Sequence, residues 1–273
     1  MPNHGLYNLL NVKLLKESFT SLLLSAVTAV FAGIFLGTFK ELFILLPGLI
    51  VLIPAAIGMR GNIFAALGSR LGSAFHLGTI TRFSMKNRTI KNNIHSSLTL
   101  TILLSVFLGF LAKLLTMLFG LESISLFSFV MISFIGGMIS GILMLFATFG
   151  IAFLSYKRGW DPDNVTSPMI TALGDFFTIP SLLLAAFLVV RLGGFVDLMA
   201  LSLIAVTIVY LAIIIWHKKF SSNRSYRAII FQSLAVLLVA GSLDGIAGSF
   251  IEINIDKLVS IPILLVLLPA FLE

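Results

Sequence analysis

The segment Asp161–Val190 has the sequence DPDNVTSPMITALGDFFTIPSLLLAAFLVV, and one carboxylate, Asp175, lies within its apolar part from Val165 onward. This part is long enough to cross a bilayer as a helix. Asp175 lies about ten residues into it, or roughly 15 Å, which is half of a hydrocarbon core of about 30 Å. A carboxylate at that depth costs several kcal/mol unless it faces a polar cavity, a cation or a partner. The segment therefore predicts a membrane-spanning helix with an acidic ligand on a cation path.

The composition supports a membrane protein. The chain has 273 residues, of which 59% are hydrophobic and 11% are charged, whereas a soluble domain carries about 25% charged residues. This balance excludes a soluble core and predicts an all-α integral membrane bundle with several spans. The absence of cysteine excludes disulfides and thiolate chemistry, and no removable signal peptide is expected at the N-terminus.

Apolar windows and basic residues predict the topology. Most of the 18 lysines and arginines fall in one alternating set of loops, so the positive-inside rule places the N-terminus and the 59–96 loop in the cytoplasm. We attribute the basic runs to topology and contact with anionic lipid rather than to nucleic acid. The windows lie at about 19–38, 42–58, 97–119, 126–154, 165–190, 195–216, 228–250 and 258–272.

An internal repeat is the second organising signal. A shift of 215 residues needs no gap, and the unit from about 17 to 216 holds six spans, so the second copy enters the membrane in the same orientation. The predicted repeat is therefore parallel. Its second copy is incomplete, because Glu273 falls opposite Gly58, and we expect either a truncated chain or a half completed by another chain. The matched positions are Ser18 with Ser233, Ala32-Gly33 with Ala247-Gly248, Pro47 with Pro262, and Pro54-Ala55 with Pro269-Ala270.

The stretch from Pro54 to Gly78 contains proline and glycine at positions that predict a break in a helix near the membrane interface. A broken helix exposes carbonyl groups that can ligate cations, and Asn62 adds an amide oxygen. We place Gly58, Gly61 and Asn62 at a cytoplasmic pore mouth. A glycine-softened loop with a basic topological anchor is an equally good interpretation.

Asp175 and three polar residues before it recur at helical spacing. Asn164, Ser167, Thr171 and Asp175 are separated by steps of 3, 4 and 4, so they share one helix face. Oxygen ligands without imidazole or sulfur suit a hard cation, and one carboxylate with hydroxyls and retained waters suits Mg²⁺, whereas Ca²⁺ would need more direct oxygens. The alternative is Asp175 paired with a buried base, for which Lys113 is the candidate inside a span.

Asp244 is a possible second acidic site, in the first span of the second copy. Its counterpart in the first copy is Ala29, so the repeat does not require an acid there. It either lines the ion path or forms a hydrogen bond within the segment 241–245.

Two motifs together resemble the MgtE-type magnesium transporters, and most closely their solute-carrier relatives in eukaryotes. These are Pro54…Gly58-Met59-Arg60-Gly61-Asn62…Ser69-Arg70-Leu71 and Asp161-Pro162-Asp163-Asn164…Pro168…Gly174-Asp175. The resemblance implies a pore between two five-helix units, from a dimer or a tandem repeat. It makes Asp175 the pore aspartate that holds a largely hydrated Mg²⁺. Arg60 replaces a small residue of bacterial members and would put a positive charge near the entrance.

With the resemblance, the sequence predicts four parts: a cytoplasmic lead (1–16), a first five-helix unit (17–193), a linking span and cytoplasmic loop (194–227), and the start of a truncated second repeat (228–273). The expected partners are the transported cation, the lipid bilayer, and a second copy or the missing half of the repeat. We expect no cofactor beyond Mg²⁺ as the transported ion and no interaction with nucleic acid. The expected location is the cell membrane.

The predicted function is a magnesium channel or transporter and not an enzyme. One alternative is transport of another cation, such as sodium, calcium or cobalt, on the same scaffold. A remote alternative is an intramembrane aspartyl protease that uses Asp175 and Asp244 as a carboxyl pair. The Tyr-Asp and Gly-x-Gly-Asp signatures of such proteases are absent.

Overall fold

The fold was analysed in a computed structural model, which describes residues 12–80, 84, 86–159, 166–216 and 224–272. These residues are helical except for short connections. The helices are α1 (Val12–Thr38), α2 (Glu41–Leu45), α3 (Leu49–His76), α4 (Arg88–Leu118), α5 (Leu126–Arg158), α6 (Ser167–Leu192), α7 (Phe195–Trp216), α8 (Arg224–Ile253), α9 (Ile255–Ser260) and α10 (Pro262–Leu272).

Length and hydropathy identify the membrane helices. Within the described part of the chain, the six helices from α3 to α8 are long and apolar enough to cross a bilayer, and α1 contains a shorter apolar stretch, Leu22–Thr38. The described residues form no β-strand. The predicted all-α, multi-span membrane bundle is therefore confirmed.

Helix α3 is the centre of the bundle. It packs against α4, α5, α6 and α8, and 78% of its apolar window is buried, compared with 17% for α7. Helix α6 packs against α3, α5 and α1. The two helices that carry the predicted motifs are thus adjacent, and lipid-facing α7 lies at the periphery.

The expected break in α3 is absent. The helix continues from Leu49 through Pro54 and the Gly58–Asn62 segment to His76, so the predicted 59–96 loop is confined to the short connection before α4. The apolar window ended too early because the residues after position 58 are small and polar. They are accommodated by contact with neighbouring helices, where polar groups are tolerated, instead of with lipid.

Local signals define several helix ends. The N–H of Gly48, a residue with φ 82°, donates to Glu252 Oε1 at 2.8 Å just before α3 begins. Asn87 Oδ1 accepts from the N–H groups of Thr89 and Ile90 at 2.8 and 3.4 Å and so caps α4. Side-chain acceptors at such positions satisfy amides that have no partner within the helix.

Two close helix crossings are related by the shift of 215 residues. A Cβ atom built on Gly33 of α1 would lie 2.8 Å from Val266 Cα of α10, and one built on Gly248 of α8 would lie 3.0 Å from Val51 Cα of α3. The shift converts Gly33 to Gly248 and Val51 to Val266. Each predicted copy thus contacts the other through the same glycine–valine pair.

Candidate cation site

The acidic helix α6 begins directly after its polar entrance. Thr166 precedes the first residue, Ser167, and Pro168 occupies the first turn, where its missing N–H costs no hydrogen bond. Ser167, Thr171 and Asp175 follow at steps of four residues on one helix face, as predicted. Asn164, the fourth residue of the predicted face, lies outside the described residues.

Asp175 lies deep inside the bundle. Its side chain is only 1% exposed, and both carboxylate oxygens are inaccessible to solvent. Eight residues separate it from Ser167, which corresponds to about 12 Å along a helix. Asp175 is therefore buried in the interior of α6, about 12 Å from its first residue.

Glycines bring α6 against α3 beside this acid. A Cβ atom on Gly174 would lie 3.5 Å from Gly61 Cα, and a Cβ atom on Gly61 would lie 3.1 Å from Thr171 Cγ2. Small residues allow two helix backbones to approach closely in a membrane. The two sequence motifs therefore meet in space, with Gly61 between Thr171 and Gly174 and with Asp175 next in the chain.

The residues of the predicted polar face differ in solvent exposure along α6. Thr171 is exposed, and its hydroxyl donates to the Ser167 carbonyl at 3.2 Å. Ser167 is half-buried, whereas Asp175, one turn beyond Thr171, is buried. The hydroxyls at the helix start can thus contact an ion or water, while the carboxylate lies at the closed end of the face.

Sequence reasoning missed three buried threonines near this site. Thr178 of α6 is one turn beyond Asp175, and Thr166 and Thr148 contact the position of Gly68 at the α3–α5–α6 junction. Their hydroxyls have no hydrogen-bond acceptor or donor among the described residues. Thr178 could have been found from its spacing to Asp175. Thr148 could not, because only the packing of α5 brings it close.

The three predicted mouth residues have different environments. Gly58 contacts Asp244 of α8, Gly61 contacts α6, and Asn62 is exposed. Because α3 is unbroken, the carbonyl groups of these residues belong to a continuous helix, and the prediction that a break frees them for a cation is wrong. The two glycines serve close helix contacts.

One face of α3, from Gly58 towards the C-terminal end of the helix, is incompletely buried. Its small and polar residues recur at helical spacing and are half-buried or exposed, whereas most of the helix is buried. This set, which we call the α3 stripe, comprises Gly58, Asn62, Ala65, Ser69 and Ser73.

Arg60 does not lie at an entrance. Its side chain is 1% exposed; Nε donates to Ser140 Oγ at 3.3 Å, and Nη2 donates to Ser105 Oγ at 2.8 Å. Gly137 of α5 leaves the space that the guanidinium group occupies. Within the described part of the chain, no carboxylate lies within ion-pair distance of Arg60.

Lys113, the predicted alternative partner of Asp175, is engaged elsewhere. Its ammonium group donates to Ser123 Oγ at 2.9 Å and to the Ile124 carbonyl at 3.1 Å, in the connection between α4 and α5. The described hydrogen bonds of Lys113 thus do not include Asp175.

Asp244 is at the edge of the contact between α8 and α3. Its carboxylate lies against the backbone of Gly58, because a Cβ atom there would be 3.2 Å from Asp244 Cγ and still closer to Oδ2. The expected alternative, a hydrogen bond within the segment 241–245, is not present among the described residues. These residues also contain no cluster of three or more His, Cys, Asp or Glu side chains that could hold a metal ion.

Comparisons with known proteins agree with this arrangement. The family model MgtE, described as a divalent cation transporter, matches residues 53–185, which include the α3–α6 contact and Asp175. Solute carrier family 41 member 2 of Homo sapiens is 31% identical over 169 residues, which is 58% of this chain and 28% of that protein. Solute carrier family 41 member 3 of Rattus norvegicus is 28% identical over 175 residues, which is 60% of this chain and 36% of that protein.

The chain thus spans about a third of these relatives at most. No solved structure matches it significantly. The matched family consists of membrane transporters, in agreement with the membrane helices of the bundle and with the expectation that the chain is not an enzyme. Residues 53–185 of this multi-pass membrane protein therefore form a membrane domain of the MgtE family.

Proposed function

We propose that this chain carries a divalent cation, Mg²⁺ in particular, across the membrane along a path that passes Thr171 and Asp175. One observation carries the proposal: a carboxylate is buried at mid-span where the two family motifs contact each other. An acid at this depth needs a cation, a polar cavity or a partner. The match of residues 53–185 to a divalent cation transporter family supports the first of these.

The ligand chemistry favours Mg²⁺ over softer ions. The α6 face offers one carboxylate and the oxygens of Thr171, Ser167 and, as predicted from sequence, Asn164. Mg²⁺ keeps several waters and needs few protein carboxylates, whereas cobalt and zinc select sites with imidazole or thiolate. An inside-negative potential adds about 4.6 kcal/mol per 100 mV for a divalent ion, twice the value for one charge.

We place the chain in the cell membrane with its N-terminus in the cytoplasm, as the basic loops predict. The half-open α3 stripe is where a second unit would complete the path. The resemblance supplies the two possible sources of that unit: another copy of the chain or the remainder of the repeat.

The substitution Asp175→Ala tests the proposal. In a host that lacks its own magnesium uptake systems, we expect Asp175→Ala and Asp175→Asn to abolish Mg²⁺ uptake, because the path loses its charged ligand. The protein should still insert in the membrane at the normal level. Asp197→Asn is the matched control, since Asp197 is exposed at one end of α7. Uptake at the wild-type rate by both Asp175 variants would disprove the proposal.

Transport of another cation is the main alternative. A liposome flux assay in which sodium, calcium or cobalt competes with Mg²⁺ distinguishes magnesium transport from transport of another cation. We expect magnesium to give the highest flux. If one of the other cations gives a higher flux than magnesium, that cation is the transported substrate.

The protease alternative has no structural support. Two catalytic carboxyls must share a proton across a hydrogen bond. Asp244 makes no hydrogen bond with any described residue, including Asp175.

A further inference from the structure

Asp244 is the second carboxylate at mid-membrane depth. It lies in α8, nine residues before the last residue of the helix, Ile253, which corresponds to about 14 Å. It contacts Gly58, which is equally far from the first residue of α3, Leu49. The acid thus lies near the centre of the hydrocarbon core, at the contact of two membrane helices.

The surroundings of this carboxylate are apolar. One turn before it, Gly241 packs against Met59, and directly after it, Gly245 packs against Leu111 and Leu115 of α4. The hydroxyl that is nearest in sequence, that of Ser242, donates to the Leu238 carbonyl at 2.7 Å within its own helix. Among the described residues, Asp244 therefore has no hydrogen-bond donor.

The charged groups of the packed helices are engaged elsewhere. On α3, Arg60 donates to the serine hydroxyls of α4 and α5, and on α4, Lys113 donates to the connection that follows this helix. Glu252, two turns further along α8, accepts from the Gly48 N–H. No basic group of the described residues lies within ion-pair distance of Asp244, so its charge is not compensated by a neighbour.

A proton fits this site better than a metal ion. Mg²⁺ requires near-octahedral coordination by oxygen, and Ca²⁺ takes six to eight oxygens. Here one carboxylate lies against the Gly58 backbone, and the glycines on either side of it in α8 pack against Met59, Leu111 and Leu115. A charged carboxylate without a partner is disfavoured at this depth in a membrane, and taking up a proton removes the charge without any further ligand.

One face of α3 leads from this site towards the end of the helix. Asp244 is only half-buried, and Gly58, on which it lies, is the first residue of the α3 stripe. The stripe continues through Asn62 and Ser69 to Ser73, which is exposed near the predicted cytoplasmic end of α3. A row of small and polar residues therefore connects this carboxylate with that end of the helix.

The same turn of α3 connects the two intramembrane acids. Gly58 contacts Asp244, and Gly61, three residues later, contacts Thr171 and Gly174 beside Asp175. A shift of this turn at one contact must alter the other, because Gly58 and Gly61 are three residues apart in one continuous helix. We propose that Asp244 is a proton-binding carboxyl whose protonation is linked, through the Gly58–Gly61 turn, to cation binding beside Asp175. The linkage rests on the proposed function, whereas the proton site does not.

This device would exist in one half of the predicted repeat only. The residue of α1 that corresponds to Asp244 is Ala29, which is fully buried. The substitution Asp244→Ala thus introduces the residue that the equivalent position already has. It is a suitable second variant if Asp244→Asn fails to fold.

The test uses dicyclohexylcarbodiimide, a lipid-soluble reagent that modifies protonated carboxyls in apolar surroundings. The full chain in liposomes is treated over a range of pH without magnesium, and mass spectrometry locates the adduct. We expect an adduct on Asp244 that decreases as the pH rises and is absent from Asp244→Asn and Asp244→Ala. Asp197, which is exposed, serves as the control and should not react. No adduct on Asp244 at any pH, or protection by sodium at constant pH, would overturn the proton site.

A second arm tests the linkage. Mg²⁺ bound beside Asp175 should oppose protonation through the Gly58–Gly61 turn, so saturating magnesium should lower the proton affinity of Asp244 by about fivefold or more. The same addition should have no effect in Asp175→Asn. If magnesium does not change the pH dependence of the adduct in the wild-type protein, the linkage is overturned. The first arm contains no magnesium. Its result therefore tests the proton site even if the proposed cation site is wrong.

Discussion

At the scale of single residues, Arg60 shows how polar groups are accommodated inside this bundle. A full positive charge is buried at mid-membrane, and its hydrogen-bond partners are two neutral hydroxyls, those of Ser105 and Ser140. Its third nitrogen, Nη1, has no acceptor among the described residues. Neutral hydroxyls only partly replace the hydration that the guanidinium loses, so Arg60 costs stability at this position.

We expect Arg60→Met to raise the free energy of unfolding by about 1–4 kcal/mol, because an apolar side chain of similar volume removes the uncompensated charge. Arg60→Lys should lower it, since the ammonium group retains the charge but cannot reproduce the forked contact with two helices. Thermal unfolding in detergent measures both. A large loss of stability in Arg60→Met would show that the guanidinium has an anionic partner.

At the scale of helices, close backbone contacts at glycine determine which elements meet. Gly248 brings α8 against Val51 of α3, and Gly33 brings α1 against Val266 of α10. In both cases the atoms in the way of a Cβ belong to the backbone, which cannot rotate aside. The bundle therefore depends on these two positions for its helix spacing, and Asp244 reaches α3 because α8 lies this close.

We expect Gly248→Ala and Gly33→Ala each to destabilise the protein by about 1–3 kcal/mol, the usual cost of overpacking. Gly150→Ala in α5 is the matched control, because a Cβ atom there would meet nothing within 4 Å. Since alanine favours helix over glycine by up to about 1 kcal/mol, the control should show no loss. Equal unfolding temperatures for all three variants would contradict the close crossings.

At the scale of the whole molecule, the arrangement of loops determines the orientation in the membrane. The connection between α3 and α4 includes exposed Lys86, and the connection between α4 and α5 includes Glu122. A single span, α4, separates them, so they must emerge on opposite sides. The positive-inside rule assigns Lys86 to the cytoplasm.

The lack of native cysteine permits a test without background labelling. In intact cells, we expect a membrane-impermeant maleimide to label Glu122→Cys but not Lys86→Cys. Lys86→Cys should react only after the cells are permeabilised. The reverse pattern would place the N-terminus outside the cytoplasm and invert the proposed orientation.

The sequence alone was sufficient for the all-α, multi-span character of the chain, for the helix face that carries Ser167, Thr171 and Asp175, and for the family resemblance. It was not sufficient for the number of spans, because eight apolar windows correspond to six spanning helices among the described residues. The features that it did predict depend on local quantities. A bilayer requires about 20 apolar residues and an internally hydrogen-bonded backbone, and helical spacing sets the face of each side chain.

Only the tertiary structure decided that α3 continues to His76, that Arg60 is directed towards α4 and α5, and that Asp244 lies on Gly58. Each of these depends on which helix is the neighbour. A polar residue in a span is tolerated when another helix covers it and excluded when lipid does, and hydropathy along the chain does not distinguish these two cases.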